Sequence, residues 1–164
     1  MSNEDSTTKL IVDTREKEAL KFGEVTGVEI VRGTLSVGDY GAVHVGESGE
    51  ERSDEAVVER KSVADLFNSF TARYDEERAK IIRAKEAGLQ YILAIEAPIL
   101  EVRKGHSYWK DGQMHEARKD GLSMIRQIST IERKYGVTAW YCMGRADMAF
   151  RIVEFFLARE RVKP

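Results

Sequence analysis

Apolar and polar positions along the chain change period several times, and each change predicts an element. Lys9-Leu10-Ile11-Val12-Asp13 reads as a short strand, and Thr14-Arg15-Glu16 after it reads as the start of a helix running to Lys21. Val28 to Val31 is a second short strand. Tyr40 to Val45 and Ala56 to Glu59 form an expected hairpin pair, and the Gly-, Ser- and Glu-rich residues 46 to 55 between them have the chemistry of an exposed loop. Ser62 is a candidate N-cap for a helix carrying Ala64, Leu66, Phe67 and Phe70. Arg73 to Ala87 predicts a further helix. Its acids Asp75, Glu76 and Glu77 come early, its bases Arg83 and Lys85 come late, and Gly88 supplies the stop.

Tyr91-Ile92-Leu93-Ala94-Ile95 is apolar at every position, as expected of a strand buried on both faces. A helix from about Glu116 to Tyr135, a strand at Val137 to Cys142 and a last helix from about Ala146 to Arg161 complete the chain. Strand and helix alternate in this half, which calls for a mainly parallel sheet with helices on its faces. The fold class is α/β. The polar residues 1 to 8 (MSNEDSTT) are expected to be a disordered tail, with one domain from residue 9 to 164. The last helix presents Met148, Ala149, Ile152, Val153, Phe155 and Phe156, a stripe wider than one core face requires, and this predicts a subunit interface.

Composition narrows the class. No apolar run approaches a membrane span, and residues 1 to 8 lack the apolar core of a secretory signal. The single cysteine, Cys142, excludes an internal disulfide framework and a multi-thiolate zinc site, and it reads as a buried thiol in a reducing, intracellular compartment, cytoplasm and nucleoid or nucleus. The formal charge of −2 argues weakly against a broad nucleic-acid binder, but it is unevenly spread. Residues 1 to 59 hold 14 acids and 6 bases, whereas residues 60 to 164 hold 14 acids and 20 bases. An acidic pocket beside a basic body is compatible with DNA processing.

The chemistry concentrates at Glu59-Arg60-Lys61. Side chains alternate along a strand, so Glu59 and Lys61 share a face and Arg60 points the other way. In isolation a Glu-x-Lys pair reads as an exposed ion pair. With Asp13 and Asp39 upstream and Asp65 downstream, it reads instead as carboxylates for a hard divalent ion beside a cation that handles water. Arg60 is either an internal salt bridge or a DNA contact. Glu132-Arg133-Lys134 repeats the tripeptide late in a helical pattern, where its side chains fan out and make no pocket. Residues Glu101 to Met114 mix Arg103, Lys104, His106 and Lys110 with Tyr108 and Trp109, either as a flexible segment that meets phosphates and unpaired bases or as an ordinary exposed loop. Arg78, Lys80, Arg83 and Lys85 read as a solvated helix surface in preference to a DNA-binding face.

In order along the chain, Val12-Asp13-Thr14-Arg15-Glu16, Gly38-Asp39-Tyr40 and Glu59-Arg60-Lys61-Ser62-Val63-Ala64-Asp65 match a known set of motifs. Ser69, Arg73-Tyr74 and Ile92-Leu93-Ala94-Ile95-Glu96 add to the match. The chain resembles the nuclease domain of the XPF-type structure-specific DNA endonucleases, which include the archaeal Hef nucleases, over roughly residues 9 to 160. The resemblance implies a restriction-endonuclease-like fold, a central mixed sheet flanked by helices, and metal-dependent cleavage of branched, fork or flap DNA in repair or recombination. It implies that Asp13, Asp39 and Glu59, with the backbone carbonyl of Arg60, hold Mg²⁺ or Mn²⁺. Lys61 would activate the attacking water, and Asp65 would ligate indirectly or orient Lys61 and Arg60. Arg15 would hold a phosphate or the acidic cluster, and Arg73 and Tyr74 would meet DNA. It further implies a homodimer through the C-terminal helix, or a heterodimer.

Two departures stand out. Ala72 replaces the family's glycine before Arg73, and its nearby glutamine has no clear counterpart among Asp75, Glu76 and Glu77. The helix-hairpin-helix module that usually follows such a domain has no counterpart before Pro164, as in an excised domain or a nuclease that finds DNA by other means. Two other functions stay open: a noncatalytic DNA-binding or scaffolding subunit, and a junction resolvase or restriction-type nuclease.

Overall fold

Strand β1 (Thr7–Asp13) runs parallel to β2 (Val28–Gly33) on one edge and antiparallel to β3 (Tyr40–Val45) on the other. The short β4 (Glu51–Ser53) folds back on β3, and β5 (Ala56–Lys61) pairs antiparallel with β3 through Tyr40 and Val58. Helices α1 (Val63–Ser69) and α2 (Tyr74–Glu86) follow. The chain then re-enters the sheet as β6 (Gln90–Ile95), parallel to β5. A short α3 (Ile99–Arg103) and a separate hairpin of β7 (Ser107–Lys110) and β8 (Gln113–Glu116) precede α4 (Gly121–Tyr135). Strand β9 (Thr138–Tyr141) joins β6 in parallel, and α5 (Arg145–Arg161) ends the chain. The main sheet therefore runs β2-β1-β3-β5-β6-β9, mixed in direction, as the α/β reading required. This computed structural model describes residues 7–23 and 27–161.

Each face of the sheet carries its own core. Val57, Tyr91, Leu93 and Ile95 pack against Leu66, Phe67, Ile81, Met124, Ile128 and Ile131 of α1, α2 and α4. Leu10, Val12, Tyr40, Val58, Ile92 and Ala94 pack against Met148, Ile152, Val153 and Phe156 of α5. Strand β6 feeds both clusters and is buried from Tyr91 to Ile95, so its uniformly apolar composition follows from its central place. The caps also follow local chemistry. The Ser62 hydroxyl accepts from the Asp65 N–H at 3.1 Å, and Gly136 closes α4 at φ +70°.

Several expectations are corrected. No helix follows Glu16, because Arg60 holds its carboxylate and Tyr40 OH accepts from the Leu20 N–H, which pins the segment as turns. Helix α4 starts at Gly121, not near Glu116, since Gln113 to Glu116 form a strand and Asp120 supplies the cap. The segment 101 to 114 is not a loop but the end of α3 and a hairpin. Of the expected tail, residues 1 to 6 lie outside the described residues, while Thr7 and Thr8 belong to β1. The wide stripe on α5 is consumed within the chain: Met148, Ile152, Val153 and Phe156 are buried against the sheet, and Phe155 stands edge-on to Trp140. Among the described residues no helix is long and apolar enough to cross a membrane.

One bend places Asp39. Gly38 sits at φ +85°, and a β-carbon there would lie 3.1 Å from the Val57 side chain and 3.3 Å from the Val58 carbonyl. Directly after it the Asp39 N–H donates to Val58 O, and the Asp39 carbonyl accepts from the Asp13 N–H, both at 2.8 Å. The residue is thereby held between the ends of β1 and β5. Gly38→Ala adds strain in both backbone and packing and is expected to cost about 1–3 kcal/mol. Urea unfolding checks this, and an unchanged midpoint would show that the bend yields freely.

Candidate active site

Strand alternation turns Glu59 and Lys61 toward α2, where both are nearly fully buried, 4% and 6% exposed. Burying charge is tolerable only when it is paired and hydrogen-bonded. The Lys61 ammonium donates to Glu59 Oε1 at 2.9 Å and lies 2.9 Å from Glu77 Oε2. Lys80 reaches the same Glu59 oxygen at 2.7 Å, and Tyr91 OH donates to Glu77 Oε1 at 2.8 Å. Two acids and two ammonium groups thus form a closed, neutral cluster. Burial opposes the Glu59 charge, yet Lys61 and Lys80 hold its pKa below the usual value. Burial likewise opposes the Lys61 charge, and Glu59 and Glu77 reverse that, raising its pKa. Burial, with Glu59 and Glu77 close by, pushes the Tyr91 hydroxyl well up.

Arg60 points to the opposite face and is enclosed by acids. Its guanidinium donates to both Glu16 oxygens at 3.0 and 3.1 Å and to Glu96 Oε1 at 2.7 Å. Arg145 reaches the same Glu96 oxygen at 2.8 Å and continues to the Glu18 carbonyl. With its side chain 7% exposed, Arg60 is the internal salt bridge of the two alternatives, and it ties the Glu16 turn and the β6 end to β5.

Asp39 completes the acidic end of a cleft of about 180 Å³ lined by Asp13, Arg15, Asp39, Glu59, Lys80 and Arg83, with Ser36, Val37 and Gly38. One Asp39 oxygen accepts from the Arg60 N–H at 2.8 Å. Burial, followed by the Glu59 charge, pushes the Asp39 pKa up to about 7. Two carboxylates facing one cavity, one of them short of compensating charge, suit a hard cation. The N–H and C=O of a strand residue point to the same edge, so the Arg60 carbonyl also faces the Asp39 side. These three are oxygen donors of the kind a hard divalent cation takes. Asp13 does not fit, because Arg15 N and Nε take one oxygen while Arg15 Nη2 and Leu35 N take the other, at 2.7–3.0 Å. Among the described residues no group of three or more His, Cys, Asp or Glu is placed to hold an ion, so the expected three-carboxylate set is not assembled.

The remaining expected site residues divide. Arg15 lines the cleft. Lys61 lies behind Glu59 and does not line it. Asp65 is exposed and engaged in the α1 cap, where its carboxylate accepts from Ser62 Oγ at 2.9 Å, so it orients neither Lys61 nor Arg60. Arg73 pairs with Glu76 at 2.8 Å on the surface, and Tyr74 packs beside Phe70. Arg103 and Lys104 stand at the end of α3, with Trp109 and Lys110 on the hairpin, all exposed and outside the cleft. Sequence reasoning missed Glu77 and Tyr91, and it read Lys80 and Arg83, which line the cleft, as a solvated helix surface. A signal existed for Glu77: it shares the buried face of α2 with Ile81 and Ala84 at helical spacing, and a charge on such a stripe needs a partner.

Arg15, by its hydrogen bonds, holds the Asp13 carboxyl at about 2, below the usual 3.8, against the opposing effect of burial. The stabilisation this reflects is complete above pH 3.8 and is lost as the pH falls through about 2. Because Arg15 is largely exposed, solvent screening leaves about 1 kcal/mol. Asp13→Asn is therefore expected to flatten the acid limb of the stability profile below pH 4, measured by urea unfolding at successive pH values. Parallel profiles for the two proteins would show that the pair contributes nothing.

Among curated protein sequences nothing matches the chain. Among solved structures it is similar to XPF from Aeropyrum pernix, with a TM-score of 0.65 and 22% identity over 94% of this chain and 66% of that one. It is also similar to the same protein in complex with DNA, with a TM-score of 0.59 and 21% identity over 95% of this chain and 68% of that one. The chain thus spans about two thirds of the length of these structures. The likeness shows the fold, a central mixed sheet flanked by helices. The ERCC4 domain model matches residues 12–155, a span that contains Asp13, Asp39 and the whole Glu59-Arg60-Lys61 cluster, and the chain belongs to the ERCC4 domain family.

Proposed function

We propose that this chain is a divalent-metal-dependent endonuclease that cleaves one strand of branched, fork or flap DNA, and that it works inside the cell. The observation carrying the reading is the pair of carboxylates, Asp39 and Glu59, at one end of a cleft whose rim bears Arg15, Lys80 and Arg83. Membership of the ERCC4 family and the fold shared with an XPF seen bound to DNA support it. Mg²⁺ or Mn²⁺ held by Asp39, Glu59 and the Arg60 carbonyl would supply Lewis acidity toward an anionic diester.

The chain's own residues do the rest. Arg15, Lys80 and Arg83 offer cations to flanking phosphates, which lowers the repulsion that protects a phosphodiester from attack. Lys61, kept charged by Glu59 and Glu77, serves as a fixed cation that positions Glu59 and not as a base for water. Lys80 shares the Glu59 oxygen and is partly exposed, so it is free to exchange that carboxylate for a phosphate.

A second reading has its own support. Lys61 and Lys80 neutralise Glu59, and Arg15 occupies Asp13, as in a noncatalytic DNA-binding or scaffolding subunit. Labelled fork, flap, four-way junction and linear duplex DNA, incubated with Mg²⁺ or with EDTA, separate the readings. Cutting of fork or flap in Mg²⁺ alone is expected, and Asp39→Asn or Glu59→Gln should slow it by about 100-fold or more. Equal cutting by wild type and both variants would remove the cleft from the chemistry. Binding without cutting selects the scaffold, and preference for four-way or linear DNA selects a resolvase or restriction-type enzyme.

The same reading includes a homodimer through the C-terminal helix, or a heterodimer. With the α5 stripe buried, its remaining support on that helix and its approach is the exposed Phe150 and Met143. Sedimentation velocity at tens of micromolar is expected to give a dimer, and a monomer there would sink the homodimer.

A further inference from the structure

The hairpin of β7 and β8 has two unlike faces. Asp111 and Gly112 form its turn, both left-handed at φ +52° and +74°, as a two-residue primed turn requires. Tyr108 stands opposite His115, and Trp109 opposite Met114. Alternation puts the first pair on one face and the second on the other. Tyr108 stacks on His115 at 5.7 Å and on His106 at 6.1 Å, and His106 lies 5.8 Å from Phe67, a core residue 2% exposed. This column of rings roots a ribbon that would be marginal alone. The Ala117 N–H closes its foot on the His106 carbonyl at 2.7 Å. The other face presents Trp109, 71% exposed, and Met114, 54% exposed.

Cations and cavities lie at the foot of the hairpin. A groove of about 360 Å³ at the hairpin's foot begins at Arg103 and contains Arg118 and Lys119. Those two residues also line a second groove of about 800 Å³, walled by Phe70 and Tyr74. The nearby acids are mostly engaged: Glu101 pairs with Lys104 at 2.6 Å, and Asp120 caps Ser123 at 2.9 Å. Glu116 faces the foot. Tyr74 opens α2, and Lys80 and Arg83 of the acidic cleft follow about 10 Å along the same helix.

We propose that the hairpin and the grooves at its foot form a second nucleic-acid site, selective for an unpaired DNA strand. Trp109 stacks on an exposed base, and Arg103, Arg118 and Lys119 track the phosphates. A duplex hides its base faces and offers Trp109 nothing to stack on, whereas a single strand presents π-faces and phosphates together. The inference rests on the DNA-directed reading of the chain but not on cleavage in the cleft.

Trp109 and Trp140 are the two tryptophans of the sequence, so Trp140→Phe leaves Trp109 as the sole reporter. In EDTA, oligo(dT) is expected to quench its fluorescence saturably, and added salt should weaken the effect. Trp109→Ala should weaken oligo(dT) binding, followed by anisotropy, by about 10-fold or more while changing blunt-duplex binding little, and Trp109→Phe should recover part of the loss. Absence of quenching, or equal oligo(dT) affinity in all three proteins, overturns the proposal. So does Trp109 emission that follows protein concentration without DNA, which would mark a self-association surface. Lost quenching with cleavage intact sinks this site alone, and lost cleavage with quenching intact sinks the nuclease reading alone.

Discussion

Glu59 and Lys61 lie buried at the end of a central strand, and neither charge could stay there without the other. The desolvation each suffers is offset by a closed set of opposite charges, Glu77 and Lys80 from α2, with the Tyr91 hydroxyl from the neighbouring strand. Much of the local architecture answers to that constraint. Helix α2 must lie across the strand end at a fixed rotation, because its inner face has to deliver Glu77 as well as Ile81 and Ala84. A one-residue slip of β5 would send both charges to the α5 side and Arg60 into the helix-facing core.

Arg60 solves the complementary problem on the other face. Its guanidinium gathers Glu16 and Glu96, and Arg145 closes the group, so the turn after β1, the end of β6 and the start of α5 are tied to one residue of β5. Three consecutive charged residues on a buried strand would ordinarily argue against that strand. Here the alternation divides them between two neutral clusters, and the strand becomes the beam between the two halves of the sheet. Asp39 belongs to neither cluster. Suspended from β1 and β5 by backbone hydrogen bonds, and with its pKa up near 7, it is the acid that the protein leaves short of positive charge. A cation in the cleft would meet that deficit.

How much was legible in advance depended on the range of the forces involved. The α/β class, strands β1, β2, β3, β5, β6 and β9, the Ser62 cap and the Gly88 helix stop rest on local period and backbone conformation, and they could be read directly. The shared face of Glu59 and Lys61 followed from strand geometry alone. The helix after Glu16, the early start of α4 and the loop over residues 101 to 114 were misread. A distant partner decides the first, through Arg60 and Tyr40, whereas the pairing of β7 with β8, a local hairpin, decides the other two.

The sequence by itself determined the ordered set of acidic and basic motifs, and so the family and the chemistry to expect, because motif order and strand alternation need no knowledge of contacts. Only the tertiary structure decided which charges meet. It gave Asp13 to Arg15, Asp65 to a helix cap and Arg60 to Glu16 and Glu96, and it brought Glu77 and Lys80 to Glu59 and Lys61. Charges pair by distance in space, and a buried charge takes whatever partner the packing of helices on the sheet sets beside it. Spacing along the chain carries no record of that choice.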